Sequence, residues 1–195
     1  TLLITWWTSG LWKAIVEKFV SHWRHAIVLA RDTTKMQALQ DALGRDNVTY
    51  YPCDIRDKHA LTSIFSQIPE IDCFINNSGI GYRESAVEET LDHIADTIQT
   101  NLIGAMRCTN IVLPKMISKK SWAIINICSV AATEVFAHGL SAYSASKAGL
   151  GMYGKVVREE VRQHNIQVIN VYPWAIKTAI RDPEEIAESG KDMME

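Results

Sequence analysis

Short apolar runs alternate with amphipathic stretches along the whole chain. Continuous apolar runs are typical of parallel strands that are buried on both faces. Six such runs predict strands: TLLIT, AIVLA, VTYYPC, DCFINN, AIINIC and QVINVYP. Between them, apolar positions recur at helical spacing. This spacing predicts helices over residues 13–22, 34–43, 58–67, 88–118 and 142–164.

Strands that alternate with helices in this way predict an α/β fold. We expect a Rossmann-like, doubly wound parallel sheet with right-handed crossovers and helices on both faces. No repeat, low-complexity tract or linker divides the sequence, so residues 1–195 should form a single domain. The first residue already lies in a strand and the last stretch is polar, so we expect a fragment that lacks both natural ends. In such sheets, ligands bind beyond the carboxyl ends of the strands.

Composition narrows the choice of partners. The net charge is −2 and the isoelectric point is near 6.3, with basic residues scattered along the chain, which disfavours nucleic acid or an anionic membrane as a partner. No apolar run reaches the roughly 20 residues that span a bilayer, so we expect a cytoplasmic protein. The four cysteines have no metal-ligand spacing. We expect reduced core thiols and no metal site.

Tyr143 and Lys147 form a candidate catalytic pair, although a Tyr-x-x-x-Lys spacing alone is a weak signal, because many helices carry such pairs by chance. Their i, i+4 spacing places both side chains on one face of a helix, so the ammonium group can stand close to the phenol. A neighbouring positive charge lowers the pKa of a tyrosine from about 10 toward neutral pH. Tyr143 thereby becomes a usable general acid or base. Ser129 ends a predicted strand, and its hydroxyl can hydrogen-bond a substrate carbonyl.

These residues belong to a series of ordered motifs. They are TxxxSGLxK after the first strand, CDI after the third, INNSG after the fourth, TNLIG in the long helix, INICS after the fifth, and YSASK, whose Tyr143 follows Ser129 by fourteen residues. In this order and spacing the chain resembles the short-chain dehydrogenase/reductase (SDR) family over essentially its whole length. The resemblance implies a catalytic group of Asn101, Ser129, Tyr143 and Lys147. In the family, the asparagine locally disturbs its helix and holds a water that connects the lysine to solvent.

The resemblance also implies a nicotinamide dinucleotide site. Asp54 matches the acid that binds the adenine amino group. Ala30 stands where NAD-preferring members carry an acid, and Arg31 would suit the 2′-phosphate of NADP, although a solvated surface arginine is the alternative. The implied cofactor-binding positions are Thr5, Trp6, Ser9, Gly10, Leu11, Trp12, Arg31, Asp54, Ile55, Asn76, Asn77, Gly79, Tyr143, Lys147, Pro173, Ile176 and Thr178.

The tryptophans depart from the family pattern. All six stand where the family places or tolerates glycine, and Trp6 and Trp12 replace two glycines of the phosphate-binding turn. Glycine there lets the backbone approach the pyrophosphate. We favour the hypothesis that the gene reads UGA as glycine and was translated with a table that reads it as tryptophan. Deliberate replacement and genuine remodelling of the turn are the alternatives, and UGG codons at these positions would exclude the first hypothesis.

The sequence therefore predicts an NADP-preferring oxidoreductase that transfers hydride between nicotinamide and a carbonyl or secondary alcohol, with NAD as a second usable cofactor. A non-catalytic SDR-fold module that has lost its cofactor site is the alternative, favoured by the literal Trp6 and Trp12. The resemblance implies a homodimer or homotetramer, with Ala105 on the outer side of the long helix. Beyond Glu195, the family continues with a further helix and strand, which we expect to be missing.

Overall fold

The computed structural model describes residues 1–5, 11–22, 25–120, 122–135 and 138–174, without the side chains of Leu11 and Trp12. All six predicted strands form. They are Leu2–Thr5 (β1), Ala26–Ala30 (β2), Val48–Pro52 (β3), Cys73–Asn76 (β4), Ala123–Ile127 (β5) and Gln167–Val171 (β6). They pair in parallel in the order β3-β2-β1-β4-β5-β6. The order reverses direction between β1 and β4, which is where a Rossmann-type sheet binds its ligand.

The described helices follow the predicted ranges with one exception. They are Leu11–His22 (α1), Thr33–Leu43 (α2), Lys58–Gln67 (α3), Leu91–Ile98 (α4), Ala105–Lys119 (α5) and Ser141–Glu160 (α6). The single helix expected over residues 88–118 is instead α4 and α5, joined by a π-helical segment, Gln99–Gly104. This segment contains Asn101, so the local disturbance of the helix that the resemblance implies is confirmed. Side-chain caps fix several helix starts: Asp32, Asp57 and Thr90 accept hydrogen bonds from the first free backbone N–H groups of α2, α3 and α4.

Helices cover both faces of the sheet, as the sequence predicts. One face packs against α1 and α2, and its buried cluster includes Ile4, Val16, Val28, Met36 and Leu39. The other packs against α3, α5 and α6, and its cluster includes Leu3, Phe65, Phe74, Val112 and Val157. Because alternate residues of each strand enter opposite clusters, both faces of the central strands must be apolar.

The buried face of α5 corrects one expectation. Ala105 is only 4 % exposed and packs with Cys128 and Leu150, so it does not lie on an outer surface. The apolar residues of α5 that recur at helical spacing, Ala105, Cys108, Val112 and Met116, are buried in the core of the chain itself. The outward apolar residues on this side are Met106 of α5 together with Met152 and Val156 of α6.

All four cysteines are buried free thiols, as expected. Burial raises the pKa of Cys53 to about 11 and that of Cys73 to about 12, so these thiols stay protonated at neutral pH. In the described part of the chain, no helix combines the length and apolarity that crossing a membrane requires.

Candidate active site

Tyr143 and Lys147 meet near the carboxyl end of β5. Both lie in the first two turns of α6, and Nζ of Lys147 is 5.9 Å from the centroid of the Tyr143 ring. The same Nζ donates a 2.8 Å hydrogen bond to the carbonyl oxygen of Ile127, the last residue of β5. The predicted pair is therefore brought together and tied to the end of a central strand.

The ammonium group of Lys147 is almost completely buried, with 3 % of the residue exposed. Burial lowers the pKa of Lys147 to about 8, and the nearby Cys128 opposes this shift only in part. Burial raises the pKa of Cys128 to about 11, although Lys147 and Tyr172 act in the opposite direction. At neutral pH the site therefore holds a lysine cation next to a neutral thiol.

Asn101 lies inside the π-helical segment and is fully buried. Its side chain pairs with the backbone of Ile80 in both directions: Nδ2 donates to the carbonyl oxygen and Oδ1 accepts from the N–H, each at 2.7 Å. Nδ2 also donates to Oγ of Ser146, which donates in turn to the carbonyl oxygen of Tyr143. Asn101 thus links the turn after β4 to the helix that carries Tyr143.

Ser129 and Thr5 stand at the ends of β5 and β1. The Ser129 hydroxyl accepts a 3.2 Å hydrogen bond from the N–H of Ala131 and caps a short 3₁₀ turn, which fixes its orientation. The Thr5 hydroxyl accepts from the N–H groups of Asn77 and Ser78, at 3.0 and 3.2 Å. Thr5 therefore shapes the turn after β4 through these hydrogen bonds.

Three asparagines form a ladder across the carboxyl half of the sheet. Asn76, Asn126 and Asn170 occupy paired positions of β4, β5 and β6. Their side chains are joined in sequence by 2.9 Å hydrogen bonds, and Asn170 Nδ2 reaches the carbonyl oxygen of Gly151 in α6 at 2.7 Å. The ladder fixes α6, and with it Tyr143, relative to the strand ends.

A second group of charges gathers after β2 and β3. Arg31 Nη1 lies 3.8 Å from Oδ2 of Asp54. Arg56 forms a closer ion pair with the same carboxylate, because its Nη2 donates to Oδ2 at 2.7 Å. Arg56 also reaches Asp96 of α4 at 2.7 Å. The motif CDI accounts for Asp54, but nothing in it indicates that Arg56 would be its principal partner.

Two features fit a nicotinamide dinucleotide at the switch point. Among the described residues, no acceptor meets the buried Nδ2 of Asn77, just beyond β4. At Gly79, a Cβ would lie 3.1 Å from Nζ of Lys147 and 3.4 Å from Oδ1 of Asn101, so a side chain there would crowd the lysine. An orphaned donor and an open glycine backbone suit a ligand that enters between β1 and β4.

The remaining predicted cofactor positions divide into two groups. Ile55 is buried against Gly104, and the carbonyl oxygen of Pro173 accepts from the N–H of Val130. The positions that lie outside the described residues or have no described side chain are Trp6, Ser9, Gly10, Leu11, Trp12, Ile176 and Thr178.

A groove of about 650 Å³ runs along α6 on the side away from Tyr143 and Lys147. Its walls come from the segment after Ser129, the loop before Tyr143 and small side chains of α6, including Ala145 and Ala148. His138 lines it, whereas Phe136, the other pocket candidate, lies outside the described residues.

The parallel sheet, its switch point and the residues at the strand ends define a Rossmann-type fold with a candidate dinucleotide site. The chain belongs to the short chain dehydrogenase family, whose profile matches residues 1–189. It is 32 % identical over 193 residues to a fatty acyl-CoA reductase of Acinetobacter baylyi, covering 94 % of this chain and 65 % of that protein. This chain thus spans less than two-thirds of the length of that relative.

Other similar proteins agree with this family. An NADP-dependent 3-hydroxy acid dehydrogenase of Salmonella typhi is 29 % identical over 180 residues, covering 90 % of this chain and 72 % of the relative. The closed form of a serine dehydrogenase complexed with NADP+ superposes with a TM-score of 0.90 at 25 % identity, covering all of this chain and 83 % of that structure. A serine dehydrogenase from Escherichia coli gives a TM-score of 0.83 at 28 % identity, covering 89 % of this chain and 82 % of that structure.

Proposed function

We propose that this protein is an NADP-preferring oxidoreductase that transfers hydride between nicotinamide and a small carbonyl or secondary alcohol. Lys147 carries the proposal. A buried ammonium group destabilises a fold, so such groups are concentrated at functional sites, and this one stands beside a tyrosine ring at the ligand-binding end of the sheet. The similarity of the chain to a fatty acyl-CoA reductase and to a 3-hydroxy acid dehydrogenase supports chemistry of this class.

In this proposal, the described residues supply the proton that the substrate accepts and bind the substrate oxygen. When it is bound, the nicotinamide supplies or accepts the hydride. The Ser129 hydroxyl holds the substrate oxygen, and the Tyr143 hydroxyl gives up its proton as negative charge develops there. The cation of Lys147 favours the resulting phenolate. Asn101 keeps the turn after β4 and the Tyr143 backbone in register. As the family resemblance implies, it would also hold the water that connects Lys147 to solvent.

Preference for NADP rests on the end of β2. Ala30 offers no carboxylate to a ribose diol, and Arg31, whose side chain is partly exposed, offers a guanidinium group to a phosphate. The similarity to an NADP-dependent relative from Salmonella typhi and to a serine dehydrogenase solved with NADP+ also supports NADP as the preferred cofactor.

The experiment replaces Tyr143 with Phe in a form with glycine at positions 6 and 12. We expect Tyr143→Phe to lose at least about a hundredfold in kcat, the usual worth of a general acid, with little change in the Kd of NADP+. Tyr153→Phe is the matched control, because Tyr153 lies on the same helix and packs into the core. If Tyr143→Phe turns over as fast as Tyr153→Phe, the assignment is wrong.

A further inference from the structure

Arg56 occupies the centre of the charge group after β3. Its Nε lies 3.1 Å from Oδ1 and 3.0 Å from Oδ2 of Asp54, and Nη2 lies 2.7 Å from Oδ2. Its other terminal nitrogen, Nη1, donates to Oδ1 of Asp96 at 2.7 Å. A bidentate pair of this kind between an arginine and a carboxylate is stronger than a single hydrogen bond between neutral groups. Arg56 therefore takes up most of the hydrogen-bonding capacity of Asp54.

The backbone around Arg56 is held firmly in place. Its N–H donates to Asp54 Oδ1 at 2.9 Å, and its carbonyl oxygen accepts from Nη1 of Arg107 in α5 at 2.6 Å. The preceding Ile55 packs against Gly104, where a Cβ would stand only 2.7 Å from its terminal methyl carbon. These contacts fix the guanidinium group of Arg56 between Asp54 and Asp96.

Asp54 faces Arg31 on its other side, at 3.8 Å. Burial disfavours the charge of Asp54, but the hydrogen bonds and charge of Arg56, together with the charge of Arg31, outweigh burial and lower the pKa of Asp54. The carboxylate is therefore ionised at neutral pH. Without Arg56, Arg31 would be the nearest cation to this carboxylate for which a contact is described.

The balance of charges decides what this surface can bind. Arg31, Arg56 and Arg107 balance Asp54, Asp57 and Asp96, so these charges sum to zero, whereas removal of Arg56 would leave three carboxylates and two arginines. A phosphate monoester carries about −1.5 to −2 charges at neutral pH, so a net negative surface would repel it.

We propose that Arg56 is a specificity-determining positioning residue, which neutralises Asp54 so that the positive charge of Arg31 acts on the 2′-phosphate of the adenine ribose. This inference rests on the proposed function, because it takes Arg31 and Asp54 as the adenine end of the cofactor site. The hydrogen bonds from Arg56 also hold the Asp54 carboxylate in one orientation. Through Asp96, Arg56 connects the adenine end of the site to α4, the helix that precedes the π-helical segment with Asn101.

The test measures Kd for NADP+ and NAD+ by titration calorimetry and follows the ratio of the two constants. Two parent forms are titrated, the chain with Trp6 and Trp12 and the variant with Trp6→Gly and Trp12→Gly. We expect Arg56→Met to lower the preference for NADP+ roughly tenfold, as the loss of a partly screened charge near a phosphate should do. Arg56→Lys keeps the charge and should retain most of the preference.

Rescue separates neutralisation from a merely structural role. In Arg56→Met/Asp54→Asn, the charge that Arg56 neutralises is gone, so the preference for NADP+ should return, even if both dinucleotides bind more weakly. Arg162→Met is the matched control, because Arg162 pairs with Glu159 on an exposed surface and should leave the ratio unchanged. Thermal unfolding without nucleotide shows whether each variant keeps its fold.

The outcomes distinguish the two proposals. If both parent forms bind NAD+ at least as tightly as NADP+, or bind neither, the proposed cofactor preference fails and this inference fails with it. If a parent prefers NADP+ and Arg31→Met abolishes that preference, while Arg56→Met does not change it, only the role of Arg56 is overturned. Failure of the double variant to restore the preference lost in Arg56→Met would overturn the neutralisation mechanism.

Discussion

Single residues at this site carry costs that the fold must offset. Lys147 is the clearest case, since its ammonium group has one described hydrogen bond, to Ile127, and the residue is only 3 % exposed. The charged form of a buried lysine is destabilised relative to the unfolded chain, which is why its pKa falls to about 8. Function at this position therefore opposes stability.

This conflict predicts a particular pH dependence of stability. Between pH 8 and pH 10, the unfolded chain still binds a proton at this lysine, whereas the folded protein has lost it, so the stability contribution of Lys147 rises with pH. The free energy of unfolding of the parent should therefore gain about 2 kcal/mol over this interval relative to Lys147→Met. Urea unfolding of both proteins at several pH values measures the difference. Parallel pH profiles would show that Lys147 is not buried as a cation.

At the scale of elements, the sequence predicts strands and helices from local patterns, but it does not predict the hydrogen bonds that join residues far apart in the chain. The strands and α3 follow directly from apolar runs and helical periodicity. The π-helical segment breaks the periodicity because Asn101 bonds the backbone of Ile80, 21 residues away. The role of Arg56 likewise depends on Asp96, which lies 40 residues further along the chain. Neither partner can be identified from spacing within one element.

The packing of α6 on the asparagine ladder leads to a prediction at Gly154. A Cβ there would lie 2.2 Å from Asn170 Oδ1 and 2.5 Å from Asn126 Nδ2, so Gly154→Ala must break hydrogen bonds of the ladder. We expect a loss of about 1–3 kcal/mol in the free energy of unfolding, measured in urea by circular dichroism.

Gly149→Ala on the same helix is the matched control. The new methyl group would meet only the side-chain end of Leu102, at 3.0 Å, which can move. Alanine also favours the helix over glycine by roughly 0.5–1 kcal/mol, so this variant should stay close to the parent. Equal stability of the two variants would contradict the account of the ladder.

At the scale of the whole molecule, α5 and α6 leave an apolar outer surface. Met106, Met152 and Val156 are 37 %, 58 % and 51 % exposed, and Ala145 and Ala148 are exposed on the same side of α6. We propose that a second copy of the chain covers this surface across a two-fold axis, forming a homodimer or part of a homotetramer. Such an isologous contact would place the same apolar residues on both sides of the interface.

Met152→Lys should split this assembly, because the interface would have to bury a lysine from each copy in an apolar surface. Sedimentation velocity at micromolar concentration should show the parent as a dimer or tetramer and the variant as a monomer. Ala14→Lys is the control, since Ala14 is exposed on α1, which covers the opposite face of the sheet. A monomeric parent, or a Met152→Lys variant that assembles as the parent does, would rule out this interface.

Hydride transfer to a carbonyl is the central claim, and an isotope measures it directly. The protein with glycine at positions 6 and 12 is incubated with NADPH deuterated at the transferred position and a panel of small ketones, aldehydes and 3-oxo acids. Mass spectrometry should find one deuterium on the carbinol carbon of a product, and Tyr143→Phe should give almost none. A folded protein that binds NADPH yet labels none of these substrates would contradict the account.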